Sequence, residues 1–520
     1  MKKISFIIFL WLFLFSVSLS FGQVTEIEKT YKLDGKAKRG YLKKVVYDPA
    51  TKNYNLIYFY KSGKDKLLKL IYTFDHDFNF VKLDEKEILL QNVTASDLEI
   101  KAYKGENYEV VGLSVSGNLM GTLVLKKKRI YYGFDWLWLT YKKKVEILEK
   151  VKPKSDNGKT YFYFNHVEDD VTGDVYILVG ERDNDQFGHY KNMHILKYNQ
   201  NIELIKDLTL PFNYYEMCVY TEAIPKIYNE DVDNPGVGGI VYLFHPLNGK
   251  KFTDPDNTNC SYIKVDENLN IVENIPYHSK ASYWNVDDII MDGNSSYIYG
   301  ASTGENKYMN DIISPTKFKS VQLMKISSGK LDYVTATDLD IFDEKLKLPP
   351  NQKKSPEYKG KNFEIKNYFT LGNNEFLVVG QNYKLDNNVK KYTDLLAFQF
   401  NDKGELKAQY SIDTKENNDY SKKFGTYQNL MPGTDSKNLY WFLQEIKGYS
   451  DWYEKVLTYP RLCKIDINGA SMNDIIDYGN GDYFLDPNFP YLSSGEANKL
   501  VFFGSNKKGN ELWFVRVKLD

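Results

Sequence analysis

The stretch CSYIKVDENLNIV (260–272) consists of an apolar run, a polar turn and a second apolar run. Asn and Asp in the turn accept hydrogen bonds from nearby backbone or tolerate a positive φ, so the stretch predicts two strands joined by a tight turn. Stretches of the same form recur at HILKYNQNIELI (194–205), QLMKISSGKLDYV (322–334), LAFQFNDKGELKA (396–408) and RLCKIDINGASMN (461–473). A hairpin that recurs along a chain of 520 residues indicates a repeat architecture.

A short, very apolar strand precedes each of these hairpins. Eight such strands begin at residues 55, 108, 176, 240, 297, 376, 439 and 500, on average about 64 residues apart. Turns rich in Asp, Asn and Gly come before most of them, as in DDVTGD (169–174) and GTDSKN (433–438). Each unit is therefore predicted to have four strands, A to D, with short A–B and C–D turns and a longer B–C loop. The apolar runs are continuous, which indicates sheets that are covered on both faces.

Four-stranded sheets that are covered on both faces and repeated around an axis are the blades of a β-propeller, and residues 25–520 resemble that superfamily. The predicted fold is all-β: a single β-propeller of four-stranded antiparallel blades, with eight blades preferred. The second unit is irregular, since LVLKKKRIYYGFDWLWL (123–139) replaces its usual turn, and seven blades are the alternative. An array of immunoglobulin-like sandwiches fits less well, because each sandwich needs about seven strands in ~100 residues.

The two ends of the chain predict how the ring is closed. The last unit contains three strand candidates, in DYFLDP (482–487), LVFFG (500–504) and ELWFVRVKLD (511–520). The segment TEIEKTYKL (25–33) is a further strand candidate ahead of the first unit. We expect this N-terminal strand to complete the last blade, so that strands from both ends close the ring, because an incomplete blade would leave an open sheet edge.

Residues 126–151 carry two further patterns. The basic runs KKKR (126–129) and KKK (142–144) are expected in a solvated turn and loop. The segment KKVEILEKV (143–151) is the best candidate for a short helix. Few other segments sustain the apolar i, i+3, i+4 spacing that a helix requires.

The N-terminus is typical of a secretory signal peptide. Lys2 and Lys3 precede the apolar run ISFIIFLWLFLF (4–15), and the small residues Ser20 and Gly22 suit a cleavage site. We therefore expect residues 1–22 to be removed, residues 23–520 to form the propeller domain, and the protein to be secreted or periplasmic. An uncleaved membrane anchor is the alternative, and no second membrane span is predicted.

The net charge of −1 gives no indication of a nucleic-acid partner. An exported chain meets an oxidising environment, but its three cysteines, Cys218, Cys260 and Cys463, cannot all pair with one another. A bridge between Cys218 and Cys260 and a set of small buried thiols are both compatible with the spacing.

Loop length is the main sequence feature that points to a binding surface. The predicted B–C loops are long, and loops beyond about 12 residues in compact folds are usually functional or disordered. They span residues 181–192, 245–259, 302–320, 381–394 and 445–460, and the D–A segment 342–361 lies on the same side. Trp452, Tyr453 and Tyr459 are the candidate ligand-binding residues, because their rings could stack on a sugar or anchor a partner. The alternative is that they pack the loop on its own blade.

Catalytic and metal-binding motifs are weak. There is no Gly-x-Ser-x-Gly motif, and with 69 acidic residues the sequence cannot single out a catalytic pair. The acidic segments NEDVDNPG (229–236) and DPDNTN (254–259) lack the spacing of a calcium loop, and the few histidines are not spaced as zinc ligands. No catalytic residue, metal or cofactor is therefore predicted.

The favoured hypothesis is an exported, non-enzymatic binding or scaffold propeller that recognises a protein or a glycan through its long-loop face. One alternative is a polysaccharide-active enzyme, a glycoside hydrolase or lyase, with paired carboxylates at the central channel. Another is a structural component of the cell envelope. The motifs of the familiar propeller classes, such as repeated Gly-His and Trp-Asp pairs, do not occur, so the resemblance implies no activity. The sequence determines neither the ligand nor the oligomeric state.

Overall fold

The architecture was analysed in a computed structural model of the chain. The structure describes residues 24–62, 66–89, 109–118, 121–135, 140–182, 190–211, 216–226, 236–246, 260–281, 283–303, 318–352, 358, 362–372, 374–387, 389–416, 418–435, 437–450, 455–479 and 481–519. Within these residues the chain forms eight antiparallel sheets that follow one another in sequence order.

Strand β1 (Val24–Lys32) and helix α1 (Gly35–Arg39) precede the first four sheets. Sheet 1 contains β2 (Tyr41–Asp48), β3 (Asn53–Lys61), β4 (Lys66–Phe74) and β5 (Phe80–Leu89). Sheet 2 contains β6 (Glu109–Gly117), β7 (Leu123–Asp135) and β8 (Thr140–Val151). Sheet 3 contains β9 (Tyr161–Glu168), β10 (Val175–Arg182), β11 (Tyr190–Tyr198) and β12 (Leu204–Thr209). Sheet 4 contains β13 (Glu216–Pro225), β14 (Val237–Pro246), β15 (Cys260–Asp266) and β16 (Ile271–Tyr277).

The remaining sheets carry small additions to the same plan. Sheet 5 contains β17 (Tyr283–Asp292), β18 (Ser295–Thr303), β19 (Ser320–Ser327) and β20 (Lys330–Asp338) and is followed by helix α2 (Leu339–Glu344). Sheet 6 contains β22 (Phe363–Thr370), β23 (Phe376–Asp386), β24 (Val389–Phe400) and β25 (Leu406–Ile412), with β21 (Leu346–Lys347) parallel to β25. Helix α3 (Asp419–Lys423) leads to sheet 7, which contains β26 (Tyr427–Pro432), β27 (Asn438–Ser450), β28 (Lys455–Asp466), β29 (Ser471–Met472) and β30 (Ile476–Asp477). Sheet 8 contains β31 (Tyr483–Leu485), β32 (Tyr491–Ser493), β33 (Lys499–Asn506), β34 (Glu511–Lys518) and β1.

The hydrophobic cores lie between the sheets and follow their order. Separate clusters join sheets 2 and 3, 3 and 4, 4 and 5, 5 and 6, 6 and 7, and 7 and 8. A further cluster joins sheet 8 to sheet 1, with Val501 and Phe514 packed against Leu56 and Phe74. First strands of successive sheets lie beside one another, as β13 does beside β17 and β17 beside β22. The fold is therefore an all-β propeller with its first strands innermost, and the described residues form eight sheets, the preferred count.

The recurring turn of the sequence connects the third and fourth strands of a sheet. In sheet 4 the Oδ1 atom of Asp266 accepts hydrogen bonds from the backbone N–H groups of Asn268, at 2.9 Å, and Asn270, at 2.8 Å. Asp75, Asn199 and Asn401 accept the equivalent pairs of bonds in sheets 1, 3 and 6. Local side-chain chemistry thus favours the register of these four outer hairpins.

The fourth residue of this turn has a positive φ and is apolar in three sheets: Phe78 (61°), Ile202 (64°) and Leu269 (56°). This region is unfavourable for side chains with a Cβ by about 1–2 kcal/mol. Leu269 is fully buried in the core between sheets 3 and 4, and the Phe78 ring stacks on Phe514 with centroids 5.0 Å apart. Burial between neighbouring sheets offsets the backbone strain.

Sheet 2 corrects three sequence predictions. The apolar strand expected as its second strand, near residue 108, is its first strand, β6. The basic runs lie on β7 and β8 instead of a turn and a loop, and the candidate helix 143–151 belongs to β8. The register places Lys127 opposite Glu149 and Arg129 opposite Glu146, and opposite charges across paired strands stabilise a sheet.

The first strand of the chain pairs with the last. Strand β1 runs antiparallel to β34, from Val24 opposite Lys518 to Lys32 opposite Glu511. Arg516 lies at this junction: its Nε donates to Glu26 Oε2 at 3.0 Å, its Nη2 to Asp77 Oδ1 at 2.9 Å, and its Nη1 to the His76 carbonyl at 2.8 Å. One buried guanidinium thus joins β1, β34 and the last turn of sheet 1. The requirement of this junction for ring closure stays a prediction.

Replacing Arg516 by Met should lower the free energy of unfolding by about 1–3 kcal/mol, because it removes the hydrogen bonds to Glu26, Asp77 and the His76 carbonyl, although Lys499 still pairs with Glu26 at 3.2 Å. Thermal unfolding followed by circular dichroism measures the change. Lys82→Met is the matched control, since Lys82 pairs with Asp84 on the surface at 2.8 Å and both side chains are more than half exposed. Equal midpoints for the two variants would contradict the proposed role of Arg516.

Replacing Leu269 by Gly should destabilise the protein by about 1–3 kcal/mol, because the loss of buried side chain exceeds the relief of backbone strain. Lys52 has a similar φ of 57° but is exposed, so Lys52→Gly should stabilise the protein by up to about 1 kcal/mol. Urea unfolding of both variants measures the two effects. A gain in stability for Leu269→Gly would show that packing does not hold the strained turn.

Candidate functional site

Neighbouring strands alternate in direction, so the B–C loops of all sheets lie at the same end, which we call the long-loop face. Residues 183–189, 247–259 and 304–317, which form most of the predicted loops of sheets 3, 4 and 5, lie outside the described residues. Sheets 6 and 7 have described residues on this face. The described part of this face therefore centres on the ends of sheets 6 and 7 and on their neighbour, sheet 8.

The predicted loops 381–394 and 445–460 are largely strand, which corrects the sequence prediction. Pairing continues to Asp386 opposite Val389 in sheet 6 and to Ser450 opposite Lys455 in sheet 7, so both segments are long hairpins that extend the sheet. Polar composition suggested loops, but cross-strand contacts such as the one between the Tyr383 and Tyr392 rings, with centroids 6.2 Å apart, stabilise paired strands.

Of the three candidate ligand-binding residues, Trp452 and Tyr453 lie outside the described residues. Tyr459 lies in β28 opposite Glu445 and is only 6% exposed. Its hydroxyl donates to Glu416 Oε1 at 3.4 Å, and burial raises the pKa of this hydroxyl. The structure thus shows Tyr459 packed at the base of the hairpin, and a role of the three residues in ligand binding stays a prediction.

A buried ionic network anchors the hairpin of sheet 7. Arg461 Nη1 donates to Glu445 Oε2 at 2.7 Å, and its Nε donates to Asp477 Oδ1 at 2.9 Å. Glu445 is fully buried, and its Oε1 accepts the backbone N–H of Glu416 at 2.9 Å. A buried charge that has lost its partner is strongly unfavourable, so the network holds β27 and β28 in one position.

A cleft of about 910 Å³ lies between the hairpin of sheet 7 and the start of sheet 8. One wall is formed by the hairpin, with Ile446, Lys455 and Val456, and the opposite wall by residues 487–491. Phe424 and Tyr427 complete it from the segment that enters β26. Sites for small ligands commonly have volumes of about 300–1,000 Å³ and mostly apolar walls, so the cleft is large enough for a ligand.

The cleft exists because the first strand of sheet 8 is interrupted. Residues 486–490, Asp-Pro-Asn-Phe-Pro, separate β31 from β32, and proline lacks the N–H that a strand would need. Asp486 Oδ1 accepts the backbone N–H groups of Asn488 and Phe489, both at 3.0 Å, which folds the interruption into a turn. A smaller cavity of about 460 Å³ lies on its other side, against sheet 1.

A row of stacked aromatic side chains ends at the cleft. Tyr420 on helix α3 stacks on Tyr449 with centroids 5.6 Å apart and planes 16° apart, and Tyr449 in turn stacks on Phe424 at 6.3 Å and 13°. Asn418 and Ser421 form a capping box that fixes the start of α3. Phe424 also lines the cleft, so the three rings form a continuous aromatic strip beside its mouth.

One charged residue, Lys455, lines the cleft, and a second, Asp486, directly precedes Pro487 of the opposite wall. Burial lowers the pKa of the Lys455 ammonium, while the Asp486 charge acts in the opposite direction. Burial likewise raises the pKa of Asp486, although two backbone hydrogen bonds and Lys455 favour its ionised form. The cleft thus places a cation and a carboxyl in surroundings where charge is poorly solvated.

A second group of titratable side chains lies on the innermost strands. The first strands of five sheets each carry a one-residue bulge, at Lys43, Phe164, Val219, Asp287 and Lys366. Bulges re-aim the side chains around them. On β17 the bulge brings Asp287 and Asp288 next to one another, and Tyr220 of β13 donates to Asp288 Oδ1 at 3.5 Å.

The carboxyls of this group hold protons more tightly than usual. Burial, followed by the charge of Asp288, raises the pKa of Glu222 on β13 to about 7. Burial is also the main cause that raises the pKa of Asp287 to about 7. The Asp287 side chain reaches water, yet protein surrounds it on an innermost strand, so its hydration is incomplete. The sequence could not indicate this group, because Glu222 and Asp288 come from different sheets.

The described residues also bear on metal binding and on membranes. Among the described residues, no three His, Cys, Asp or Glu side chains lie close enough together to hold a metal ion. No helix in the described part of the chain combines the length and apolar character that crossing a bilayer requires. Cys463 is a buried free thiol, and Cys260 is buried in the core between sheets 4 and 5.

The raised pKa of Glu222 predicts a pH-dependent stability. Between its ordinary pKa of 4.5 and about 7, the folded protein keeps a proton that the unfolded chain releases, so this residue lowers stability as pH rises through that window. Glu222→Gln should therefore raise the melting temperature at pH 8 and change it little at pH 4. Glu149→Gln, on the exposed part of β8, serves as control. A pH-independent difference between Glu222→Gln and the parent would contradict the assignment.

Comparisons with known proteins give no family. No protein-family model matches the chain, and no curated protein matches it. Matches among solved structures include the lignostilbene dioxygenase of Pseudomonas brassicacearum, at 11% identity over 87% of this chain and 91% of that one, with a TM-score of 0.28. They also include the WD40 domain of SCAP from fission yeast, at 8% identity over 94% and 98% of the chains, with a TM-score of 0.24. Likeness at this level assigns no activity to the chain, and its propeller fold is established by its own eight sheets.

Proposed function

We propose that the protein is an exported, non-enzymatic binding propeller that recognises a protein or a glycan through its long-loop face. The observation that carries this proposal is the cleft between sheets 7 and 8. It is concave, mostly apolar and large enough for part of a ligand, which are the usual properties of a recognition site.

The surroundings of the cleft support a binding role. The Arg461–Glu445 pair and the paired strands β27 and β28 hold one wall in place before any ligand arrives. Asn429 donates to the hydroxyl of Tyr491 at 2.9 Å, which fixes a ring of the opposite wall. A site that is already ordered loses less conformational entropy on binding, so its contacts contribute more to affinity.

Tyr427 offers a direct test, because it lines the cleft and its side chain is 61% exposed. Tyr427→Ala should leave the melting temperature within about 1 °C and weaken ligand binding at least fivefold. The ligand is first sought with the parent protein on a glycan array and by capture of exported proteins, and affinity is then measured by calorimetry.

Val171 provides the matched control. It is also 61% exposed but lies in an A–B turn, at the end of sheet 3 opposite to the long-loop face. Val171→Ala should bind as the parent does. Equal affinity for the parent and Tyr427→Ala would place the binding surface elsewhere.

A second candidate function is a polysaccharide-active enzyme that uses the innermost carboxyls. The observation in its favour is that Glu222 has a pKa of about 7 and lies next to Asp288, since a glycosidase needs one protonated and one ionised carboxyl. A screen for polysaccharide cleavage separates the two functions. Turnover that is lost in both Glu222→Gln and Asp288→Asn would favour the enzyme, and its absence in the parent would favour the binding protein.

A further inference from the structure

The walls of the cleft have a chemical character that narrows the ligand. Ile446, Val456, Pro487 and Pro490 present aliphatic groups to its interior. Such groups form no hydrogen bonds with sugar hydroxyls, and burying those hydroxyls against them is unfavourable. The same groups gain free energy when an apolar side chain displaces water from them. Gln444, Thr458 and Asn488 add polar groups, but most of the lining is apolar, so the interior can accommodate an apolar side chain.

Lys455 adds a cation to these apolar walls. It is the first residue of β28, directly after the tip of the hairpin, and is half-buried. In surroundings of low polarity an ammonium group attracts an anion more strongly than it does in water. The nearby Asp486 carboxyl already feels this charge, but its Oδ1 is engaged by two backbone N–H groups of its own turn. The Lys455 ammonium would therefore attract a ligand anion and the Asp486 carboxylate at the same time.

We infer that the cleft binds an apolar residue at the free C-terminus of a partner protein, with its side chain against Phe489 and its carboxylate at Lys455. This inference rests on the proposed function and names the ligand class of the same site. A C-terminal residue carries an apolar side chain and a carboxylate on a single Cα atom. Both features can thus be met by the two opposite walls of one cleft, and the preceding residues can leave along the exposed Tyr427.

The test uses a short peptide with a fluorine label. Acetyl-Gly-Gly-4-fluorophenylalanine is titrated into the full chain as the free acid and as the C-terminal amide, and binding is followed by fluorine NMR. The acid should bind about three- to tenfold more tightly than the amide, as expected for one partly buried charge contact. Decanoate, an apolar carboxylate without a peptide, is the competing small-molecule ligand.

Two substitutions report on the two charges, and a third serves as control. Lys455→Met keeps the apolar stem and should reduce the affinity for the acid to that for the amide. Asp486→Asn removes the competing carboxyl while its side-chain oxygen can still accept the turn hydrogen bonds, so it should raise the affinity for the acid. Lys391→Met is the control, because Lys391 pairs with Asp386 on the neighbouring hairpin and does not line the cleft.

Several outcomes would overturn the inference. These are equal binding of acid and amide by the parent, a preference for the acid that survives in Lys455→Met, and tight binding of decanoate without binding of the peptide. In each of these cases the proposed function is tested separately. It still holds if the protein binds a glycan or protein ligand and Tyr427→Ala weakens that binding. The two proposals can thus fail separately.

Discussion

Sheets 3 to 8 each bury apolar side chains on both faces, and this two-sided burial is the constraint on which the rest of the structure depends. Strand β27 shows it within one segment. Leu439, Trp441 and Leu443 point into the core shared with sheet 6, while Tyr440 and Phe442 point into the core shared with sheet 8. A single such sheet cannot be stable in water, because burial of apolar surface is the main favourable term in folding. Sheets arranged around an axis cover one another on both faces.

The constraint also explains the ends of the chain. Sheet 8 takes its outer strand from the N-terminus, and its inner face packs on sheet 1, so residues almost 490 positions apart are in contact. Bringing together residues this far apart in the chain costs conformational entropy, which the contacts at the junction must offset. Arg516 contributes to these contacts. It lies on β34 and forms ion pairs with Glu26 on β1 and with Asp77 in the last turn of sheet 1.

The candidate binding features lie where the sheets end or are interrupted. The cores are filled by large buried side chains, whereas Pro487 and Asn488 in the insertion of sheet 8 are exposed to solvent. The cleft arises where two such features meet, the extended hairpin of sheet 7 and the turn at Asp486–Pro490. The innermost carboxyls arise in the same way, from bulges that redirect side chains without disturbing the cores.

The sequence alone determined the features that depend on neighbours along the chain. The Asx turn at Asp266, the apolar strand before it and the repeat of about 64 residues follow from local hydrogen bonding and from the length of a four-stranded unit. These features were enough to predict an all-β propeller with eight blades. The prediction for the second sheet was wrong because runs of basic residues are typical of loops. Their place in strands follows only from cross-strand pairing, as with Glu146 and Glu149.

Only the tertiary structure decided the candidate site. The sequence pointed to the long-loop face and to Tyr459, but the cleft combines Phe424, Lys455 and Phe489 from three segments that have no common pattern. Glu222 and Asp288 likewise meet because their strands are neighbours around the axis. Strand and turn propensities act over a few residues, whereas the position of a side chain in space depends on how all eight sheets pack, which no short stretch of sequence encodes.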